Sequence, residues 1–377
     1  MCESGLLRIF KIGSPVDADI ADWNAVLHEA RRHQVEELLV KLVKQAPEGA
    51  APPEVMASLK KIYSWTFMAN VWRAKETENV ILLLQKSGIR CIVLKGIALA
   101  ERLYGDIGVR NSWDIDLLVE EDKIRLAVET LKLDGYLQQK YNVELLLADL
   151  EHDIRMEKKT PLGSCWVELH YKYTHRKSQS IAMAEVWERA GTGVFGDGKT
   201  PVCELSPLDL VLSLCLHSAG HNFSIFRNVL DVVQAIEVEG RHIDWIEFAR
   251  IAKRYGISYR VYASLYYAAI IFQTPVSLSV LEYLKPPIYI RYLLAKDCLP
   301  DSLPKGLSPI TSGLVRNEGV IGYLLASWHK MFPPILRIKN SYHISTFRAL
   351  FFYPKRLVYL IAKPFISVTN LQRKAGD

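Results

Sequence analysis

Residues 91–119, CIVLKGIALAERLYGDIGVRNSWDIDLLV, decide how this chain is read. An apolar run ends in Lys95-Gly96, a short helical stretch follows, and a second apolar run carries Asp114 and Asp116. Side chains two apart on a strand share a face. The two aspartates therefore project together, while Ile115 and Leu117 turn toward a core. Adjacent carboxylates repel, and an apolar strand keeps such a pair when a cation sits between them. Asp-x-Asp also occurs solvated at strand ends, but the Lys-Gly turn upstream favours a divalent-metal site facing a phosphate-binding turn. Gly96 lets backbone N–H groups approach a phosphate where the helix from Ile97 offers its positive end. Lys95 reads either as a point charge for a terminal phosphate or as a solvated strand-end lysine. Arg110, four residues before Asp114, can reach a phosphate or hold the loop by pairing with a carboxylate.

Outward from this stretch, residues 18–45 show helical spacing, with Trp23, Val26 and Leu27 on one stripe. A turn at 46–53 leads to a long helix over about 54–87. The helix EDKIRLAVETLKLDG carries Ile124, Ala127, Val128 and Leu131 on one face and ends at Gly135. Strands are expected at about 152–158 and 165–173, joined by the turn Thr160-Pro161-Leu162-Gly163. Together these elements make a small mixed sheet of about four or five strands. GTGVFGDGKT, residues 191–200, reads as a loop and a boundary. Ser206-Pro207-Leu208-Asp209 is a helix start, with helices expected from there to about residue 300. His217 and His221 are i, i+4 on one of them, with no further ligand between them.

At these residues the chain resembles a bacterial family labelled uncharacterised nucleotidyltransferase, within the DNA polymerase β-like superfamily. The residues that carry the resemblance are Leu94-Lys95-Gly96, Tyr104-Gly105-Asp106, Arg110 and Asp114-Ile115-Asp116-Leu117-Leu118-Val119. It continues through Glu168 in WVELHYKY and, more weakly, through His217, Asp231 and Ile243-Asp244-Trp245, over roughly residues 75–255. Ile97 stands where many superfamily members have Ser or Gly, and the spacer from Gly96 to Asp114 is long for the superfamily motif. The resemblance implies an α+β fold: a polymerase β-like core of small mixed sheet and helices, flanked by N-terminal and C-terminal helical regions. It implies two Mg²⁺ ions on Asp114, Asp116 and Glu168, an NTP on Lys95, Gly96 and Arg110, and His217 facing the nucleotide or bonding Asp231. Glu168 would also accept the proton of an incoming hydroxyl. His170, two beyond Glu168, is a ligand or a hydrogen-bonding neighbour. The implied activity is transfer of an NMP from an NTP to a hydroxyl or phosphate of a small molecule, glycan, peptide or protein. The alternative is a nucleotide-binding or interaction protein on the same fold that does not turn over.

The implied organisation is a helical region at 1–88, a catalytic domain at 89–200, a helical domain at 201–300 and a basic, aromatic-rich region at 301–377. Charge separates the last part from the rest. Residues 327–377 carry nine Lys/Arg and one acid, whereas the preceding residues carry 38 basic and 40 acidic groups. With no basic stripe on the body, nucleic acid is not the expected partner. Arg348, Lys355, Arg356 and Lys363 among aromatics suit either an anionic membrane surface or a packed helix pair with a wet basic face. Six scattered cysteines without a C-x-x-C pair point to a reducing compartment. The first residues lack the regions of a signal peptide, and no apolar run reaches eighteen residues. The expected location is cytoplasmic, with contact at the inner membrane face if the tail binds there.

Overall fold

The structure is a computed structural model that describes residues 4–11, 20, 22–45, 49, 51–138, 153–173, 181–299 and 302–331. Its centre is a mixed seven-stranded sheet of order β3-β4-β5-β2-β1-β7-β6. The strands are β1 Cys91–Val93, β2 Ile115–Val119, β3 Leu137–Gln138, β4 Asp153–Thr160, β5 Gly163–His170, β6 Gly191–Phe195 and β7 Thr200–Glu204. β2 runs antiparallel to β1 and parallel to β5, which puts Asp116 opposite Glu168 and Leu118 opposite His170.

Alternation along the central strands fixes this register. Ile115, Leu117, Val119, Val167 and Leu169 enter the core, with Ile154 and Met156 of β4 beside them. Asp116, Glu168 and His170 take the opposite face. A one-residue slip would exchange these sets. It would forfeit about 1.5–3 kcal/mol for each large apolar side chain exposed, and would bury carboxylates in the core.

The helices before the sheet are α1 Gly5–Phe10, α2 Trp23–His33, α3 Glu36–Gln45 and α4 Pro53–Lys86. The periodic stretch expected over 18–45 is broken at Gln34, whose left-handed φ of 59° ends α2 before α3 begins. α5 Ile97–Leu99 runs into a π-helical turn, Ala100–Tyr104, and α6 is Ile124–Leu133. Val80, Ile81 and Leu84 of α4, with Ile124, Ala127, Val128 and Leu131 of α6, cover the apolar face of the sheet. Gly135, at φ 87°, follows α6 as the sequence indicates.

Residues 191–200 correct an expectation. This stretch is a hairpin, β6–β7, turning at Gly196 with Lys199 N–H donating to Gly196 O at 3.1 Å. Its glycines suit a strand for a steric reason: a Cβ on Gly193 would overlap the Glu204 side chain on β7. β7 then pairs parallel with β1, so the sheet continues past residue 200 and exceeds the four or five strands expected.

Helices α7 Met183–Arg189, α8 Pro207–Gly220, α9 Phe226–Glu239, α10 Trp245–Arg254, α11 Ser258–Phe272, α12 Leu278–Leu284, α13 Ile288–Asp297 and α14 Pro309–Arg316 complete the first compact unit, residues 1–318. Ser206 caps α8 by accepting from Asp209 N–H at 3.2 Å, and Asp244 caps α10 by accepting from Ile246 and Glu247 N–H. The second unit, residues 319–377, contributes α15 Val320–Met331. The rest of the basic tail, and the membrane contact expected of it, lie outside the described residues. Among the described residues no helix is long and apolar enough to cross a membrane.

One buried imidazole ties α2 to α9. His33 Nδ1 accepts from Phe226 N–H at 3.3 Å, and burial, then Arg32, hold its pKa down to about 4. A depressed pKa contributes stability that is complete above the ordinary value of 6.5 and is lost as pH falls toward 4. Thermal melts between pH 7 and 4 should show a loss of up to roughly 3 kcal/mol from this group. A His33→Gln variant should lack that part of the slope; an unchanged slope would remove His33 as its source.

Candidate active site

Three strand ends and one loop build the site. β1 ends at Val93 and delivers Lys95 and Gly96, with Leu94 N–H donating to Asp116 O at 3.0 Å. Gly96 adopts φ 64° and ψ −125°, and a Cβ there would sit 2.6 Å from Ser112 Oγ. Glycine is required on both counts. Ser112 Oγ donates to Asp114 O at 3.0 Å, a bond within the aspartate loop.

Across the sheet, Asp116 on β2, Glu168 on β5 and Arg155 on β4 lie in one row, set by the pairings Asp116–Glu168 and Arg155–Glu168. Ligand atoms of Asp116, Glu168 and His170 all fall within 4.8 Å of one another, and all three residues are buried. Asp114 stands just before β2, outside that group, yet close enough to feel both carboxylates. Burial, then Asp116 and Glu168, raise its pKa to about 6. Asp116 goes the other way. Burial opposes its charge, but Lys95 and His170 hold its carboxyl well below the usual carboxylate range. Lys95 Nζ lies 2.8 Å and His170 Nε2 2.9 Å from the same Asp116 Oδ1. Glu168 Oε1 accepts from Arg155 Nε at 2.8 Å.

This donor set suits a divalent cation. Two side-by-side carboxylates and an imidazole are preassembled, and Asp114 is in electrostatic conflict with its neighbours until positive charge is added. A lysine and an arginine occupy part of that role, each on one carboxylate.

The comparisons with known proteins bear on this arrangement. The model of a family described as uncharacterised nucleotidyltransferase matches residues 19–273, more than half of the chain. The chain belongs to that family. No curated protein matches this nucleotidyltransferase. A solved structure, the crystal structure of an antigenic nucleotidyltransferase-like protein from Paracoccidioides brasiliensis, is similar at 16% identity and a TM-score of 0.33. The match covers 44% of this chain and 76% of that one.

Of the residues singled out in the sequence of the nucleotidyltransferase, Lys95, Gly96, Asp114, Asp116 and Glu168 come together. Arg110 lies behind them. Its Nε and Nη2 donate to the two carboxylate oxygens of Asp231 at 3.1 and 2.9 Å, and its Nη1 to Gly96 O at 3.2 Å. Of the two roles read for it, holding the loop is the one these contacts describe. Tyr104 OH donates to the same Asp231 at 2.8 Å, so one carboxylate on α9 anchors both ends of the segment leading to Asp114. His217 lies on α8 beside His221, ring centroids 4.6 Å apart. It faces a cavity that Lys95 and His170 also line.

Arg155 was missed in the sequence, although the signal was present. The hairpin turns on Pro161-Leu162, so pairing outward from Thr160–Gly163 reaches Arg155–Glu168. His170 was read correctly as adjacent to Glu168. Its contact with Asp116 depends on the parallel register, which the sequence does not state.

Proposed function

We propose that the protein transfers a nucleoside monophosphate from an NTP to a hydroxyl or phosphate acceptor, releasing pyrophosphate, with Mg²⁺ held by Asp114, Asp116 and Glu168. One observation carries the reading: Asp116 and Glu168 are neighbours in register, with Asp114 two residues upstream, in a chain of this family. Oxygen-rich donor sets suit hard divalent cations, Mg²⁺ among them. When bound, the metal neutralises charge on the attacking and leaving oxygens of the transfer.

The chain's own groups do the rest. Gly96, at φ 64°, forms the turn that would meet the donor's phosphates, and Arg110 fixes that backbone from behind. Lys95, the counter-charge of Asp116 without substrate, is placed to exchange that carboxylate for a phosphate oxygen. Glu168 accepts the proton of an incoming hydroxyl, and Arg155 orients it. His170 holds Asp116.

The test is incubation of the full-length protein with each α-labelled NTP, Mg²⁺ and cell extract. Label should enter a product, pyrophosphate should form, and chelation should stop both. Absence of both labelling and nucleotide binding for every NTP would remove the reading in favour of a fold used for interaction alone.

A further inference from the structure

A 320 Å³ cavity adjoins the site on the other side of Lys95 and His170. None of Asp114, Asp116 and Glu168 lines it. Its cations come from four separate elements: Lys95 after β1, Lys172 after β5, Arg260 on α11 and Arg316 on α14. His217 of α8 and His221 just after it add to the polar wall, and none of the described lining residues is acidic.

We propose that this cavity receives a phosphate group carried by the acceptor, a subsite that rests on the nucleotidyl-transfer reading above. Converging charges from several directions match an anion with three outward oxygens and nearly two charges, rather than a planar carboxylate met by one fork. Arg316 is fixed at the end of α8, where it donates to the carbonyls of Ala219 and Gly220. Lys172 is paired with Glu121 at 3.4 Å and lies over the Tyr171 ring at 4.9 Å. Burial, then Lys95, depress the pKa of both His217 and His221, and Arg227 and Arg316 add to the effect at His221. Neutral imidazoles can each donate one N–H to an anion without needing a counter-ion of their own.

The location ties this subsite to the acceptor. Lys95 and His170 form the shared wall, and each touches Asp116 Oδ1. An anion in the cavity is therefore one side chain away from the carboxylates where the donor is activated. The acceptor's phosphate and the donor then bind side by side, with Lys95 in the wall between them.

Titration calorimetry of the full-length protein with inorganic phosphate at low salt tests this, with and without a saturating α,β-methylene NTP analogue and Mg²⁺. Phosphate should bind the nucleotide-loaded protein saturably. Lys172→Ala and His221→Gln, both near the rim and away from the core, should weaken it about tenfold or more while nucleotide affinity stays within about twofold. Absence of saturable phosphate binding to the wild-type protein overturns the proposal, as does binding that neither variant alters. Displacement of phosphate by the analogue assigns the cavity to the donor's own phosphates and overturns the acceptor role. Phosphate binding without any nucleotide binding would instead overturn the transfer reading, and the acceptor role with it.

Discussion

Asp116→Asn should lower nucleotidyl transfer by about 10³-fold or more, a loss of at least about 4 kcal/mol of transition-state stabilisation. The variant removes the carboxylate that Lys95 and His170 both touch, the one held most firmly in its ionised form. It should also lower the melting temperature, because Lys95 loses its partner in a buried setting. Asp114→Asn should abolish activity to a similar degree with the opposite effect on stability. Asp114 is pushed up to about 6 by burial and by two like charges, so neutralising it relieves repulsion in metal-free protein. Melting curves in chelator should place Asp114→Asn at or above wild type and Asp116→Asn below it. If both variants melt below wild type by the same amount, or either keeps wild-type turnover, the electrostatic assignment of the pair is wrong.

Arg110→Ala should cost about 3–5 kcal/mol of stability, because it strands the Asp231 carboxylate in a buried position. At about 1.5 °C per kcal/mol for a unit of this size, the melting temperature should fall by roughly 5–8 °C. The double variant Arg110→Met, Asp231→Leu should recover part of that loss, since neither charge is left unpaired although the Tyr104 hydroxyl gives up its acceptor. Activity should remain low in the double variant, because Gly96 O loses its donor and the turn its brace. Recovery of stability without recovery of activity would separate the two duties of Arg110. If Arg110→Ala melts like wild type, the pair is not the anchor described above.

What could be read in advance follows from the range of the interactions. Asp114 and Asp116 announce themselves because a two-residue period on an apolar strand is local, and the helix α6 stripe is equally local. Glu168 came from the family pattern, and its position beside Asp116 is a consequence of parallel pairing between strands about fifty residues apart. Arg110 and Asp231 were both singled out, yet their bond links a loop to a helix more than a hundred residues away. Lys95 read as a phosphate contact or a solvated strand end, and its ion pair with the buried Asp116, which rules out the solvated role, depends on cross-strand placement that the local pattern does not show. The β6–β7 hairpin was hidden because glycines that clear space for Glu204 look the same in sequence as glycines that loosen a loop. Helices α2 and α3 read as one because a left-handed Gln34 leaves no compositional mark.

The place of β7 in the sheet also sets a timetable for synthesis. β1 emerges with residues 91–93, but its parallel partner is not made until residues 200–204. At about 5–20 residues per second that interval is on the order of 5–20 s. Throughout it, one side of β1 presents unpaired main-chain groups, and Lys95 and Gly96 hang from an open edge. Gln85 of α4, whose side chain donates to Pro201 O in the finished fold, must wait equally long for its acceptor. A nascent chain arrested before residue 200 should therefore carry the three carboxylates and still expose a sheet edge to other strands, so that premature termination in this window yields an aggregation-prone fragment.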